Sequence, residues 1–288
     1  MHNSLTSIPS LIDLLLAKQK TSTGEAKLKL LYTTIDSAQA VRPDIVEQHH
    51  NQFIPGSIYF DFQTQFADPK SNISNTMVSA EVFQEEARKL GINQSDSIVV
   101  YDDFGNFCAS RVWFMFKTMG FNNISVLDGG LPLWLANTSI TQTGLTVPGE
   151  KGNFVAKPSA YFQFIDKETI LDNIAKKEFI LIDARGRGRF VGTLSESRAN
   201  LRSGHIPNSH NLHYATVFDK NGKFLPLNKL EPLFLFKRSN YGFTCGSGVT
   251  ACILAHIAHM LGYSPLRVYD GSWSEWGADP SLPIEQSS

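Results

Sequence analysis

The sequence predicts an α/β protein of two tandem domains, each a parallel sheet flanked by helices. Three observations predict it. The chain repeats itself at a fixed offset, each copy alternates short apolar strands with helical patterns, and a stretch without any period separates the copies. Val99 to Trp134 reads VVYDDFGNFCASRVWFMFKTMGFNNISVLDGGLPLW, and Tyr241 to Trp276 reads YGFTCGSGVTACILAHIAHMLGYSPLRVYDGSWSEW. They align without a gap at an offset of 142, so that Ala109 pairs with Ala251, Gly120 with Gly262, Val126 with Val268 and Trp134 with Trp276. Asp128-Gly129 falls on Asp270-Gly271, and upstream Ile54-Pro55 echoes Ile206-Pro207. Self-similarity of this length marks a duplicated unit.

The elements follow in chain order. Leu11 to Ala17 is an apolar patch too short to span a bilayer, and neither a basic region before it nor a small-residue cleavage site after it marks a secretory leader. A short amphipathic helix packed on the first domain is the expectation, in a cytoplasmic protein. In the first copy SIVVYD reads as a strand, Ala109 to Met119 as a helix, and NISVLDGG as a strand ending in a turn. In the second, FILIDAR (Phe179 to Arg185) is a strand, Val249 to Leu261 a helix, and LRVYDGS a strand. The join lies in TQTGLTVPGEKGNFVAKP, Thr141 to Pro158, rich in Gly, Thr, Pro and Lys. The expected domains are residues 1–140 and 158–288, with 141–157 as the linker.

Composition narrows the function. A net charge of −1 with both signs interspersed gives no electrostatic case for nucleic acid or an anionic membrane. Three cysteines, Cys108, Cys245 and Cys252, with no CxxC, make no disulfide framework and suit a reducing compartment. No His/Cys/Asp cluster has zinc-ligand spacing, so neither a metal nor another cofactor is expected.

Cys245 stands apart. In parallel α/β sheets ligands sit beyond the carboxyl ends of the strands, and Cys245 follows such an end directly and precedes a helix. Unpaired N–H groups and the positive end of the helix dipole favour an anion there. Gly246 and Gly248 let several N–H groups converge on one point, Ser247 offers a hydroxyl, Val249 opens the apolar pattern, and Thr250 is placed to cap the helix. With no basic side chain in the loop, the backbone must stabilise a sulfur anion. A buried structural cysteine is the bland alternative. Against it, the first copy has Asp103 at the corresponding position and lacks the Gly-x-Gly spacing.

These residues resemble the tandem rhodanese-type sulfurtransferases over roughly residues 25–280. The motifs are IPGSIYFD and ASRVWFMF…VLDGGLPLW in the first half, and IDARGRGRF, GHIPNSHN, CGSGVTA and VYDGSWSEW in the second. CGSGVTA is similar to the loop of 3-mercaptopyruvate sulfurtransferases in particular. The resemblance implies two rhodanese domains, the first without and the second with the catalytic cysteine. It implies that Cys245 takes the sulfur of 3-mercaptopyruvate as a persulfide, releases pyruvate, and passes the sulfur to a thiol acceptor such as thioredoxin or a small thiol. By the same resemblance Arg189 of GRF and Arg198 of SESR grip the substrate carboxylate and keto oxygen, a task suited to the guanidinium fork. The bland alternative for each arginine is a solvated loop charge or an ion pair with Asp183, Glu196 or Asp270; Arg185 reads as structural, and Arg187 is left open.

The thiosulfate-using relatives carry basic residues after the cysteine. Gly246, Ser247 and Val249 occupy those slots here, which favours mercaptopyruvate. The chain departs from the family pattern at Gln63 and Thr76, where an acidic residue and a histidine of a proton relay are usual. His205 reads as a structural histidine bonded to nearby backbone, whereas Phe53 holds its place in the first half. His256 and His259 lie too far along their helix to serve as the base. Cys252 reads as core, Cys108 as an exposed thiol of a loop, and Trp134 and Trp276 as packing anchors. The alternatives are a thiosulfate or other sulfane-sulfur transferase, and a non-enzymatic sulfur carrier or binding module. A phosphatase of the related loop type needs an arginine where Ala251 stands.

Overall fold

A computed structural model describes residues 4–18, 27–36, 51–196, 198, 200–234 and 240–286. Met1–Asn3, Gln19 and Lys20 of the N-terminal stretch, and Ser197 of SESR, lie outside them. The chain forms two compact units. The first holds Met1–Phe66, Val78–Pro158 and Phe218–Phe224; the second holds Ala67–Met77, Ser159–Val217 and Leu225–Ser288. The principal division thus falls between Pro158 and Ser159, while one short loop of each half folds with the opposite unit. The segment 141–157 packs on the first unit, with Phe154 fully buried and the N–H groups of Gly152 and Phe154 donating to Arg88 and Ile92 carbonyls.

In the first unit β1 (Leu5–Thr6), β2 (Leu28–Thr33), β4 (Ser57–Tyr59), β5 (Ser97–Asp102) and β6 (Ile124–Leu127) form one sheet in the order β1-β6-β5-β2-β4. Every pairing in it is parallel. A small antiparallel pair, β3 (Gln52–Phe53) with β7 (Gln142–Thr143), lies in the same unit. The second unit repeats the sheet with β8 (Phe162–Ile165), β9 (Ile180–Asp183), β10 (His210–Asn211), β11 (Tyr241–Thr244) and β12 (Leu266–Tyr269), in the order β10-β9-β11-β12-β8, again all parallel. Read from the other edge, the order is that of the first sheet. The duplication seen in the sequence is therefore a duplication of topology.

Short runs of β-branched and aromatic residues make the central strands. Such runs suit strands covered on both faces, and five of the six residues of β5 and all four of β11 are buried. The covering helices are amphipathic or apolar according to their exposure. Helix α1 (Ile8–Lys18) inserts Ile8 and Leu11 into the first core and leaves Leu14 and Leu16 half-exposed. Helix α2 (Ala80–Lys89) starts where Ser79 accepts the Val82 N–H, and α5 (Lys167–Lys176) where Asp166 accepts that of Thr169. By contrast α3 (Ala109–Thr118) is buried all round, and α8 (Ala251–Met260), which follows the one-turn α7 (Leu227–Leu230), is buried from Ala251 to Ala258.

After the Asp-Gly turns, α4 (Gly130–Asn137) and α9 (Ser272–Trp276) anchor the sheets through buried tryptophans. Trp134 Nε1 donates to the Ile140 carbonyl and Trp276 Nε1 to that of Pro283, both at 2.8 Å. The strand read over Phe179–Arg185 is shorter in the structure: Phe179 precedes it, and after Asp183 the chain begins the turn into α6 (Arg187–Val191), although the Ala184 N–H still donates to the Thr244 carbonyl at 2.8 Å. Cys108, read as exposed, is fully buried. Its loop folds inward around a carboxylate described below, and burial first, then the neighbouring carboxylates, push its thiol well up. Among the described residues no helix is long and apolar enough to cross a membrane.

Candidate functional site

The candidate site is built on the turn between β11 and α8. Cys245 follows the last residue of β11 and is 2% exposed. Helix α9 holds the turn by its outer edge. The Cys245 N–H donates to Ser272 Oγ at 3.2 Å, and the Cys245 carbonyl accepts the Trp273 N–H at 3.0 Å. The Gly246 carbonyl accepts from the Ser274 N–H at 2.9 Å and from Ser274 Oγ at 2.6 Å. Ser272 adopts a left-handed φ of 48°, and its hydroxyl donates to the Tyr269 carbonyl at 2.7 Å. A strained serine thus holds the backbone of the cysteine in place.

The loop carbonyls are occupied, but several of its amides are not. Among the described residues the N–H groups of Gly246, Ser247, Val249 and Thr250 have no hydrogen-bond partner. Amides left without internal partners beside a sulfur are suited to an anion. Two expectations about this loop change. Gly248 takes a left-handed φ of 71°, but Gly246 does not, so one glycine rather than two makes the turn. Thr250 stands at the position preceding α8, yet in a helical backbone conformation that gives its side chain no capping bond. From the segment 67–77, Asn75 Nδ2 donates to the Ser247 carbonyl at 3.3 Å, and the Met77 N–H to Asp270 Oδ2 at 2.7 Å.

The first copy shows what the same turn does when filled. The Asp102 carboxylate accepts the N–H groups of Phe104 (2.9 Å), Asn106 (3.1 Å), Cys108 (2.7 Å) and Ala109 (2.8 Å). Asp103, at the register of Cys245, accepts from Tyr32 Oη at 2.8 Å and Thr34 Oγ1 at 2.7 Å. Burial pushes its carboxyl up to about 6, opposed by these two hydrogen bonds and aided by the charge of Asp102. The first unit therefore presents a carboxylate, not a thiol, at the position of Cys245.

The arginines divide as the sequence suggested in one case and open in the others. Arg185 is buried, forked onto Asp183 at 2.6 to 3.1 Å, bonded to Glu196 at 2.7 Å and to the Gly204 carbonyl at 2.8 Å. Its guanidinium carbon lies 4.0 Å over the Trp273 ring. Burial opposes its charge, but the two carboxylates outweigh burial and hold its pKa above the ordinary value. Arg198 is exposed and donates from Nη1 to the Gly246 carbonyl at 3.3 Å and to Ser274 Oγ at 3.0 Å, which brings it onto the cysteine loop. Arg189, on α6, is one-third exposed with Nη1 3.7 Å from Glu196. Arg187 is exposed.

Beside Arg189 lies a residue that the sequence did not single out. His213 Nε2 approaches within 3.9 Å of a Cβ built at Gly186, and burial first, then the Arg189 charge, lower its pKa. His205 is structural in its contacts, with Nδ1 2.8 Å from the Phe190 carbonyl and its ring stacked on Phe190 at 3.9 Å. Cys252 is buried, its thiol directed at the Gly248 carbonyl at 3.2 Å. Thr76 is bonded to Ser71 Oγ and the Ile73 carbonyl inside its own loop. Ser272, Ser274 and Asn75 were also missed. The only signal for the serines was the second half of the repeat, VYDGSWSEW, where Ser272 replaces Gly130.

Comparison with known proteins shows the family of the chain. A model of the rhodanese-like domain matches residues 33–137 and 166–279. The 3-mercaptopyruvate sulfurtransferase of Rattus norvegicus is 35% identical over 251 residues, covering 84% of each chain. The thiosulfate/3-mercaptopyruvate sulfurtransferase 2 of Arabidopsis thaliana is 34% identical over 293 residues, covering 92% of this chain and 84% of the relative. Among solved structures, SseA of Escherichia coli, described as a 3-mercaptopyruvate sulfotransferase, superposes with a TM-score of 0.78 at 25% identity, over 94% of this chain and 99% of that one.

Proposed function

The chain belongs to the rhodanese-like domain family and is a sulfurtransferase, and from that premise we propose that it moves the sulfur of 3-mercaptopyruvate to a thiol acceptor through a persulfide on Cys245. The observation that carries this reading is the turn itself. A buried cysteine stands among amides without partners, in a loop whose own side chains, from Gly246 to Thr250, are neutral. Such a turn favours a singly charged sulfur over a bulky dianionic donor.

In the first half-reaction the Cys245 thiolate attacks the donor sulfur. The S–S bond forms and the C–S bond breaks, with its electron pair passing into the enolate of pyruvate. The enolate takes up the proton given up by the donor thiol, leaving pyruvate and a persulfide anion on Cys245. In the second, an acceptor thiolate attacks the outer sulfur and departs as a persulfide, which restores the Cys245 thiolate. Such covalent catalysis gives ping-pong kinetics.

Arg198, already on the loop, and Arg189, on α6, are the cations assigned to the substrate carboxylate and keto oxygen. Arg189 must then exchange its contact with Glu196 for the substrate. Arg185 has no such freedom, since its donors are committed within the core. The acceptor assigned is thioredoxin or a small thiol, in the reducing cytoplasm that the free cysteines suit.

The test is pyruvate release from 3-mercaptopyruvate with a thiol acceptor, run beside thiosulfate with cyanide, for the wild type and Cys245→Ser. Turnover of mercaptopyruvate that needs Cys245 and exceeds thiosulfate turnover is the expected result. The thiosulfate reading is favoured by the names of several relatives, among them the thiosulfate sulfurtransferase of Rattus norvegicus at 33% identity, and a reversed preference would select it. Silence with both donors would leave a sulfur carrier.

A further inference from the structure

The residue before the cysteine occupies a revealing position. In the second sheet Thr244 is paired with Asp183, and in the first Asp102 is paired with Thr33, each at the end of its central strand. The two are equivalent in ladder position and at the offset of 142. In the first copy the side chain at this position turns into the loop, where the Asp102 carboxylate collects four amide donors, those of Phe104, Asn106, Cys108 and Ala109. Their counterparts in the second copy are Gly246, Gly248, Thr250 and Ala251.

A threonine holds that position beside the cysteine. It is 1% exposed, and its Oγ1 is buried without a hydrogen-bond partner among the described residues. The N–H groups of Gly246 and Thr250, counterparts of two amides that Asp102 satisfies, are without one too. Orphaned buried hydroxyls destabilise a fold, and native chains keep few of them. Here a buried hydroxyl and two amides stand without partners at the same turn, where the other copy places a carboxylate. A missing anion accounts for all three.

We propose that the Thr244 hydroxyl donates a hydrogen bond to the sulfur anion carried by Cys245, adding a side-chain donor to the amides of the loop. The proposal rests on the reading of Cys245 as the residue that carries sulfur. A carboxylate at 244 would fill the cradle, as Asp102 does in the first copy, and repel the thiolate. A valine would fill the same volume and offer nothing to the sulfur.

The test uses the full chain with Thr244→Val, Thr244→Ser and Thr244→Asp. Iodoacetamide alkylation of Cys245 at neutral pH, steady-state turnover of mercaptopyruvate and Tm are measured on each. In Thr244→Val both alkylation and kcat fall about tenfold, the size expected when a hydrogen bond to a charged group is lost. Its Tm stays the same or rises, because an orphaned hydroxyl has been removed. Thr244→Ser keeps rates near the wild type, and Thr244→Asp alkylates far more slowly than either. Wild-type rates in Thr244→Val would overturn the proposal, as would a Thr244→Ser variant as slow as Thr244→Val. A fall in Tm matching the loss of rate would overturn it as well. If the wild type does not turn over mercaptopyruvate, the donor assignment fails, while the alkylation rates still decide on Thr244.

Discussion

Arg198 donates from Nη1 to the Gly246 carbonyl at 3.3 Å, so an exposed guanidinium is seated on the loop that carries the cysteine. It also reaches Ser274 Oγ at 3.0 Å, and Ser274 bonds the same carbonyl. Arg198 thus belongs to the loop and still has donors directed elsewhere. Replacing it with glutamine should raise KM for mercaptopyruvate by about tenfold or more, the effect of losing a charge-assisted hydrogen bond. Tm should barely change, because the residue is exposed. Steady-state kinetics beside a thermal melt check both halves of this prediction.

The two glycines of the loop should respond differently to alanine. Gly248 has a φ of 71°, where an L side chain costs about 1–2 kcal/mol. Gly246 lies outside that region, and a Cβ on it would meet Arg198 Nη1 at 3.5 Å, an ordinary contact. Gly248→Ala should therefore lower Tm and turnover together, while Gly246→Ala should leave Tm near the wild type. Paired melts of the two variants are the measurement.

Arg185 is predicted to matter for folding rather than for binding. Removing it by Arg185→Met would leave the Asp183 carboxylate and the inner oxygen of Glu196 buried without their cation. Breaking one partner of a buried ion pair costs about 3–5 kcal/mol. A fall of that size in unfolding free energy by urea titration is expected, and a variant as stable as the wild type would contradict it.

Asp103 makes stability depend on pH in a sense unusual for a carboxylate. Its folded pKa is pushed up to about 6 from an ordinary 3.8, chiefly by burial. Between those values the folded state binds more protons than the unfolded one, so this contribution to stability is largest at acid pH. It is lost as pH rises from about 4 through about 6. Asp103→Asn keeps an oxygen to accept from Tyr32 and Thr34 and removes the penalty. The variant should exceed the wild type by up to about 3 kcal/mol at neutral pH and match it near pH 4. Denaturant titrations of both proteins at the two pH values check the sign.

Much of this was legible in the chain because it is local or repeated. The SIVVYD strand ends at Asp102 as read, and the repeat correctly announced two sheets of one topology. Cys245 could be picked out because a strand, a cysteine and a Gly-x-Gly turn are contiguous. The parts that stayed hidden join distant segments. Asn75 lies 172 positions from the Ser247 carbonyl it bonds, and Ser272 is 27 positions from the Cys245 amide it holds. The capping expectation for Thr250 failed because its backbone is already helical, which directs the side chain away from the first free amides. Cys108 was misplaced because its loop looks polar and open in sequence, whereas the Asp102 carboxylate draws it inward by its amides.

The most direct test of the central claim is mass spectrometry of the full chain after brief exposure to 3-mercaptopyruvate without any acceptor. The account predicts a gain of one sulfur atom on the peptide carrying Cys245, removed by a thiol and absent from Cys245→Ser. An unmodified Cys245 peptide alongside released pyruvate, or the added sulfur on Cys108 or Cys252, would contradict it.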